Sequence, residues 1–480
     1  MAEINHSKAH AILLAYPFQG HITPMINLAV NLASRGFTVT YIQLEFIHHT
    51  ISTAHDRAGD VDVFVEARKS GLDIRYTTTS DGFSLEFDRK LNMSEYWEGM
   101  IRDFPVLVDE LVGSITKSDA SAGAFILVAD TLYSWPAAIA KKHNLVHVSL
   151  WTEPATVFSI DYHLDLLREK GHLPYSGNGD NCINYIPGVK SISSKDLMSY
   201  IQAPDAVPVL MKIVGKAFEQ VKNADFILCN TVQELESECL SALNLMQPTY
   251  AIGPMNFFSD FTKTVVVEKS LWAESDCTHW LSSKPPASVL YISFGSIVQI
   301  NKQDIVEIAH GLLLSQVNFI WILRTTDALP VGFQDDVKDR GLIVPWCNQN
   351  AVLSSPAVGG FLTHCGWNSV LESMWSGVPM ICYPFYVDQP TNRKLVVDDW
   401  KIGIDLCDGG QTTREEVASK INILMRGKSS TDLREEIKKV SKMSRNALET
   451  DGSSQRNFDQ FVVDLRARLY ARREDIGSNN

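Results

Sequence analysis

Short β-rich runs alternate with helical patterns along this chain, and the alternation starts twice. In the first half, residues 11–17, 37–44, 73–79, 124–130 and 145–151 are predicted strands, rich in Val, Ile, Tyr and Thr. Thr23 and Pro24 are read as opening a helix after the first of these, Thr as N-cap and Pro at the first helical position. The pattern restarts at SVLYISFGS (288–296) and continues through 318–324, 342–346, 358–364 and 379–385. Strands that alternate with helices make parallel βαβ units in a doubly wound α/β sheet. Two such series give two sheets.

A length of 480 residues also favours two domains over one core. The expected division is an N-terminal domain over 1–252, a linker over 253–286, a second domain over 287–452 and a C-terminal helix and tail over 453–480 that packs back on the first domain. The linker expectation rests on Gly253-Pro254 and Lys284-Pro285-Pro286, between which no period is visible. Arg466, Arg468, Arg472 and Arg473 on the last helix read as a solvated basic face.

A net charge of −13 argues against nucleic acid as a partner, because phosphate backbones call for basic stripes. The eight cysteines form no CxxC pair, so free thiols in a reducing compartment are expected rather than zinc or a disulfide framework. The first apolar run, 9–16, is short and ends at Pro17, unlike a secretory signal, and no run approaches the length of a membrane span. A cytoplasmic location follows as an expectation.

Residues 346–389 read WCNQNAVLSSPAVGGFLTHCGWNSVLESMWSGVPMICYPFYVDQ. Strand-like runs here separate an indole, a histidine, a Gly-Trp-Asn-Ser turn, a glutamate and an Asp-Gln pair. Crossovers of a parallel sheet deliver polar groups to one rim in this way, where nucleotides bind. The segment resembles the signature box of plant family 1 UDP-glycosyltransferases. The resemblance implies the glycosyltransferase-B (GT-B) architecture, two Rossmann-like doubly wound domains facing across a cleft, and a UDP-sugar as donor.

Carried over residue by residue, the resemblance makes Trp346 the ring stacked on uracil, with Cys347 beside it. Gln349 and Glu372 match the ribose contacts. His364, Gly366, Asn368 and Ser369 match the diphosphate contacts at a helix N-terminus, and Ser296 a further one. Trp367, Asp388 and Gln389 match the sugar contacts, with both Asp388 and Gln389 accepting from sugar hydroxyls. A terminal glutamine goes with glucose in the family, so UDP-glucose is the expected co-substrate. Asn348 stands where the family has proline, and Tyr386 where many members have tryptophan. Asn348 is expected to loosen the loop after Trp346.

Upstream, PFQGHITP (17–24) resembles the family segment that carries the general base. His21 would take the acceptor's proton, with Asp130, at the end of the fourth strand, holding its imidazole. Thr152 resembles a contact to the sugar or phosphate. The implied reaction is direct displacement to a β-glycoside, with no cofactor and no metal, since no DxD motif lies in the box. The acceptor would be a small lipophilic hydroxylated metabolite (a flavonoid, another phenolic or a terpenoid) in the first domain. The stretches 83–87, 92–100, 151–163 and 197–207 would line its pocket. The resemblance implies a monomer.

Other readings compete. A dinucleotide oxidoreductase would show GxGxxG after its first strand, where this chain has PFQGHITP. Gly427-Lys428-Ser429 lacks the upstream glycine of a P-loop. A non-catalytic nucleotide-sugar binder would keep the box and dispense with His21 and Asp130.

Overall fold

The computed structural model describes residues 8–54, 62–119, 122–173, 182–204, 208–257, 273–296, 298–407, 411–427 and 429–477. Side chains are described as far as 472, so Arg473 of the basic patch and Lys428 of the Gly-Lys-Ser triplet lie outside the described residues, as does part of the expected linker.

The strands, in chain order, are β1 (Ala9–Leu14), β2 (Thr38–Leu44), β3 (Ile74–Thr79), β4 (Ala124–Asp130), β5 (Val146–Trp151), β6 (Cys182–Ile183), β7 (Ile192–Ser193), β8 (Phe226–Cys229) and β9 (Thr249–Ala251). After them come β10 (Val289–Ser293), β11 (Asn318–Ile322), β12 (Gly341–Val344), β13 (Val358–Thr363), β14 (Met380–Cys382) and β15 (Gly403–Asp405). One sheet has the order β3-β2-β1-β4-β5-β8-β9 and the other β12-β11-β10-β13-β14-β15, while β6 and β7 pair by themselves. The pairs of the two large sheets are parallel. Helices cover both faces of such sheets, so the strands carry near-continuous apolar runs: every residue of β2, β5 and β10 is buried. In each sheet the order reverses beside the first strand, which opens a crevice at the carboxyl ends of β1 and β4, and of β10 and β13.

The chain divides into two compact units. One comprises Met1–Ile192, Ala203–Leu271 and Ala447–Asn480, the other Ser193–Gln202 and Trp272–Asn446. Two parts of this division differ from the expected bounds. The stretch 193–202 goes with the second unit because Ser199 N–H donates to the Val387 carbonyl at 2.9 Å and Thr391 Oγ1 donates to the Asp196 carbonyl at 2.7 Å. Residues 273–286, expected as linker, also belong to the second unit. Ser275 bridges to Cys347, and the short helix Thr278–Ser282 follows.

The final helix, Ser453–Gly477, packs Phe458, Phe461, Val462, Leu465 and Leu469 into the apolar core of the first unit. Its described arginines are exposed or half-exposed, as expected, but they are also paired. Arg472 donates to both carboxylate oxygens of Asp225 at 3.1 and 2.9 Å, Arg468 donates to the same carboxylate at 2.9 Å, and Arg466 donates to the Arg35 carbonyl at 2.8 Å. The four-residue spacing of Arg468 and Arg472 brings both side chains to one face of the helix. Among the described residues no helix is long and apolar enough to cross a membrane.

Candidate functional site

The first unit assembles one polar cluster at the carboxyl ends of its central strands. The helix after β1 runs Gln19–Ser34, and its first turn carries His21. This differs from the expected start at Thr23-Pro24. The backbone closes on the Phe18 carbonyl, which accepts from both His21 and Ile22 N–H at 2.9 Å, and Pro24 lies inside the helix. The earlier start lifts His21 out of the loop and fixes its backbone.

His21 Nδ1 lies 2.7 Å from Asp130 Oδ2, at the end of β4, and 2.9 Å from Thr152 Oγ1, one residue past β5. The Asp130 side chain is 1% exposed and that of His21 12%. A buried carboxylate facing Nδ1 selects the tautomer protonated there and leaves Nε2 with its lone pair. The second Asp130 oxygen accepts the Leu132 N–H at 3.0 Å, which fixes the carboxylate plane. Thr152, expected as a sugar or phosphate contact, has its hydroxyl on the His21 imidazole.

Around the imidazole stand Tyr16 and Phe18, with ring centroids 5.7 and 6.1 Å away, and Trp97 stacks on Tyr16 at 5.3 Å. The expected acceptor stretches 83–87 and 92–100 do pack together, Phe83 against Tyr96 at 5.7 Å. In contrast, the helix Ala155–Tyr162 is buried along its whole length as core. Glu236 holds its first turn, accepting from the N–H groups of Ala155 and Thr156 at 2.9 and 2.8 Å. Burial pushes the Glu236 carboxyl above its ordinary range, against these hydrogen bonds.

The second unit builds a larger cluster around the end of β13. Cys365 has φ +64°, left-handed for a residue with a Cβ, and turns the chain from strand to helix between His364 and Gly366. Asn392 Nδ2 donates to its carbonyl at 2.9 Å and to Asp388 Oδ2 at 2.5 Å, so one amide holds the strained turn and aims Asp388. Gly366 caps the helix Trp367–Ser376, whose first three residues are Trp367, Asn368 and Ser369. The first-turn N–H groups and the positive end of the helix dipole therefore gather where Asn368 and Ser369 stand.

His364 lies between two glycines. A Cβ at Gly295 would stand 2.5 Å from His364 Nε2, and one at Gly366 2.4 Å. Only bare backbone permits this approach from both sides, and Gly295, at φ +74°, precedes Ser296 in the turn after β10. Burial lowers the imidazole pKa to about 4, so His364 is neutral at pH 7.

Gln349 ties the remaining groups together. Its amide donates to Ser369 Oγ at 2.9 Å and to Glu372 Oε2 at 2.7 Å, and its oxygen accepts from the Tyr291 hydroxyl at 3.2 Å. Asn348 does not loosen this loop. Its side chain accepts the Ala351 N–H at 3.0 Å and caps the helix Gln349–Leu353. Trp346 is partly exposed, whereas Cys347 is buried with its thiol 3.7 Å from the Tyr291 hydroxyl.

Gln389 departs from the accepting role expected for it. Its Oε1 already accepts the Phe385 and Tyr386 N–H groups at 2.8 and 3.1 Å, so it offers its NH₂ as a donor. Ser199, expected in the acceptor-lining stretch 197–207, instead supports the loop before Asp388. Val387 has φ +60°, a strained conformation for a β-branched residue, immediately before Asp388. Ser199 pins it from both sides, its Oγ accepting the Val387 N–H at 2.7 Å and its own N–H donating to the Val387 carbonyl at 2.9 Å. No local pattern around Ser199 signals a partner so distant in the chain.

The family model for UDP-glucoronosyl and UDP-glucosyl transferase matches residues 181–447. The chain is 51% identical to UDP-glycosyltransferase 86A1 of Arabidopsis thaliana, over 98% of this chain and 97% of that one. It is 35% identical to 7-deoxyloganetin glucosyltransferase of Gardenia jasminoides, over 96% of this chain and 98% of that one. Among solved structures, it is similar to Os79 from O. sativa in complex with UDP, with a TM-score of 0.82 and 25% identity, over 95% of this chain and 100% of that one.

Proposed function

Because the chain belongs to the UDP-glucoronosyl and UDP-glucosyl transferase family, and is thus a UDP-glycosyltransferase of the GT-B fold, we propose that it transfers glucose from UDP-glucose to a hydroxyl of a small lipophilic metabolite, with inversion to a β-O-glucoside. The observation that carries this is the buried Asp130 carboxylate 2.7 Å from His21 Nδ1. It holds Nε2 as the proton-accepting atom and stabilises the imidazolium that forms.

His21 Nε2 removes the acceptor's hydroxyl proton as the oxygen attacks the anomeric carbon, on the face opposite the leaving UDP. The C–O bond to the acceptor forms, the anomeric C–O bond to the β-phosphate breaks, and UDP departs with the electron pair. Thr152 and Asp130 orient the base throughout. Charge developing on the diphosphate is met by the N-terminus of the helix Trp367–Ser376 with Asn368 and Ser369, by neutral His364 and by Ser296. Trp346 stacks on uracil, while Gln349 and Glu372 hold the ribose. Trp367 and Asp388 face the sugar, with Gln389 donating to it. No metal enters this scheme.

Glucose is favoured by Gln389 at the end of the box and by the 35% identical relative named as a glucosyltransferase. A lipophilic acceptor is favoured by the Tyr16, Phe18 and Trp97 rings beside the base, and the same relative is named for 7-deoxyloganetin. Another UDP-sugar, or a binding role without transfer, is the second reading.

The test is mass spectrometry of a mixed phenolic and terpenoid pool incubated with UDP-glucose, UDP-galactose or UDP-xylose. We expect a hexose mass gain with UDP-glucose. His21→Ala should lower it by roughly 10²–10⁴-fold while UDP binding stays intact. Undiminished transfer by His21→Ala would remove His21 as the base, and binding of all three donors without any product would favour the second reading.

A further inference from the structure

None of Ser296, His364, Gly366, Asn368 and Ser369, the residues matched to phosphate contacts, is a lysine or arginine, yet the structure brings a cation to the turn beside Ser296. Arg324 follows β11, and its guanidinium donates to the Gly295 carbonyl at 2.8 Å. That carbonyl and the Ser296 N–H belong to one trans peptide unit, so they point in opposite directions. Turning the carbonyl onto a guanidinium therefore directs the Ser296 N–H away from Arg324 and polarises it as a donor.

Gly295 makes such a clamp necessary. It sits at φ +74° without a side chain, and glycine there leaves the peptide free to rotate. A rotated peptide would present a carbonyl oxygen, with its negative partial charge, in place of an N–H. The same glycine packs on His364, so the peptide plane and the imidazole sit at one spot. Arg324 also lies close enough to Tyr386 for its charge to act on the phenol. Burial pushes Tyr386 up to about 12, and Arg324 opposes that rise. Tyr386 in turn donates its N–H to Gln389.

We propose that Arg324 is a positioning residue for the donor diphosphate, locking the Gly295–Ser296 peptide with its N–H presented to phosphate and holding positive charge beside that turn. This rests on the reading of Ser296, His364, Asn368 and Ser369 as the diphosphate site. Lysine would keep the charge and a donor without the rigid planar fork, and methionine would keep neither.

The experiment is calorimetric titration of the full chain and its Arg324→Met and Arg324→Lys variants with UDP and with uridine. Thermal melts establish that each variant is folded. The wild type should bind UDP far more tightly than uridine, and equal binding of the two would sink the diphosphate site itself. Given that preference, Arg324→Met should lose roughly 10-fold or more of its UDP affinity and less than about 3-fold of its uridine affinity. Arg324→Lys should fall between Met and wild type for UDP and match wild type for uridine. Equal losses for both ligands, or an unchanged UDP affinity in either variant, would overturn the role of Arg324. If the methionine variant does not fold, the lysine variant alone decides by the same comparison.

Discussion

A neutral histidine held between two glycines has a measurable cost in acid. His364 titrates near 6.5 in the unfolded chain and at about 4 when folded. Between those values the unfolded state binds the extra proton, so stability falls as pH drops through that window and is fully present above it. The expected loss from this residue is about 2 kcal/mol between pH 7 and pH 5. His147, buried in the first unit and also lowered to about 4, acts in the same direction. Urea unfolding at the two pH values should show His364→Asn with a smaller pH difference than the wild type. Equal differences would mean that the site protonates without strain. The residue types of this site were legible through the resemblance to the signature box, which singles out an indole, a carboxylate and a histidine, asparagine and serine at set spacings. Their conformations were not. Cys365 at φ +64° and Val387 at φ +60° are tertiary outcomes, fixed by Asn392 and Ser199, and no local pattern encodes them.

At the level of elements, the long alternation was readable and the ends were not. The strands nearest each crevice were expected within a few residues of their observed bounds, because β-branched runs between helical patterns leave little choice. Three strands of the two large sheets were missed, as was the small β6–β7 pair. FILC of β8 is a short, wholly apolar run that fits a helix as well as a strand, and β9 and β15 have only three residues each. The start of the helix carrying His21 was misread because Pro24 signals a first turn, although a proline is tolerated further in when packing holds the helix. Asn348 shows the opposite error. Read as a looser substitute for proline, it proves to be the cap of a five-residue helix that presents Gln349. Asn348→Ala should cost about 1 kcal/mol and raise the donor KM more than it lowers kcat. A melting temperature and donor KM both unchanged would show that the cap is dispensable.

At the scale of the whole chain, the first unit is closed by its last helix. Asp225 receives Arg468, Arg472 and the His147 N–H, and Tyr250 donates its hydroxyl to Asp464 at 2.6 Å from the neighbouring strand. Because the arginines remain partly exposed, Asp225→Asn should cost only about 1–2 kcal/mol, and less at high salt. Thermal melts at low and high ionic strength check this, and a salt-independent difference would assign the effect to packing. The apolar spacing and basic residues of this helix were visible in the sequence, but the partner of its charges was not, since Asp225 lies far away along the chain. This arrangement has a consequence for synthesis. The ribosome delivers the second unit's main body, 272–446, before it delivers the helix that completes the first unit. The first unit therefore waits with the seat of Phe458 and Phe461 uncovered while its neighbour is made, and during that interval it is the part of the nascent protein most in need of a chaperone.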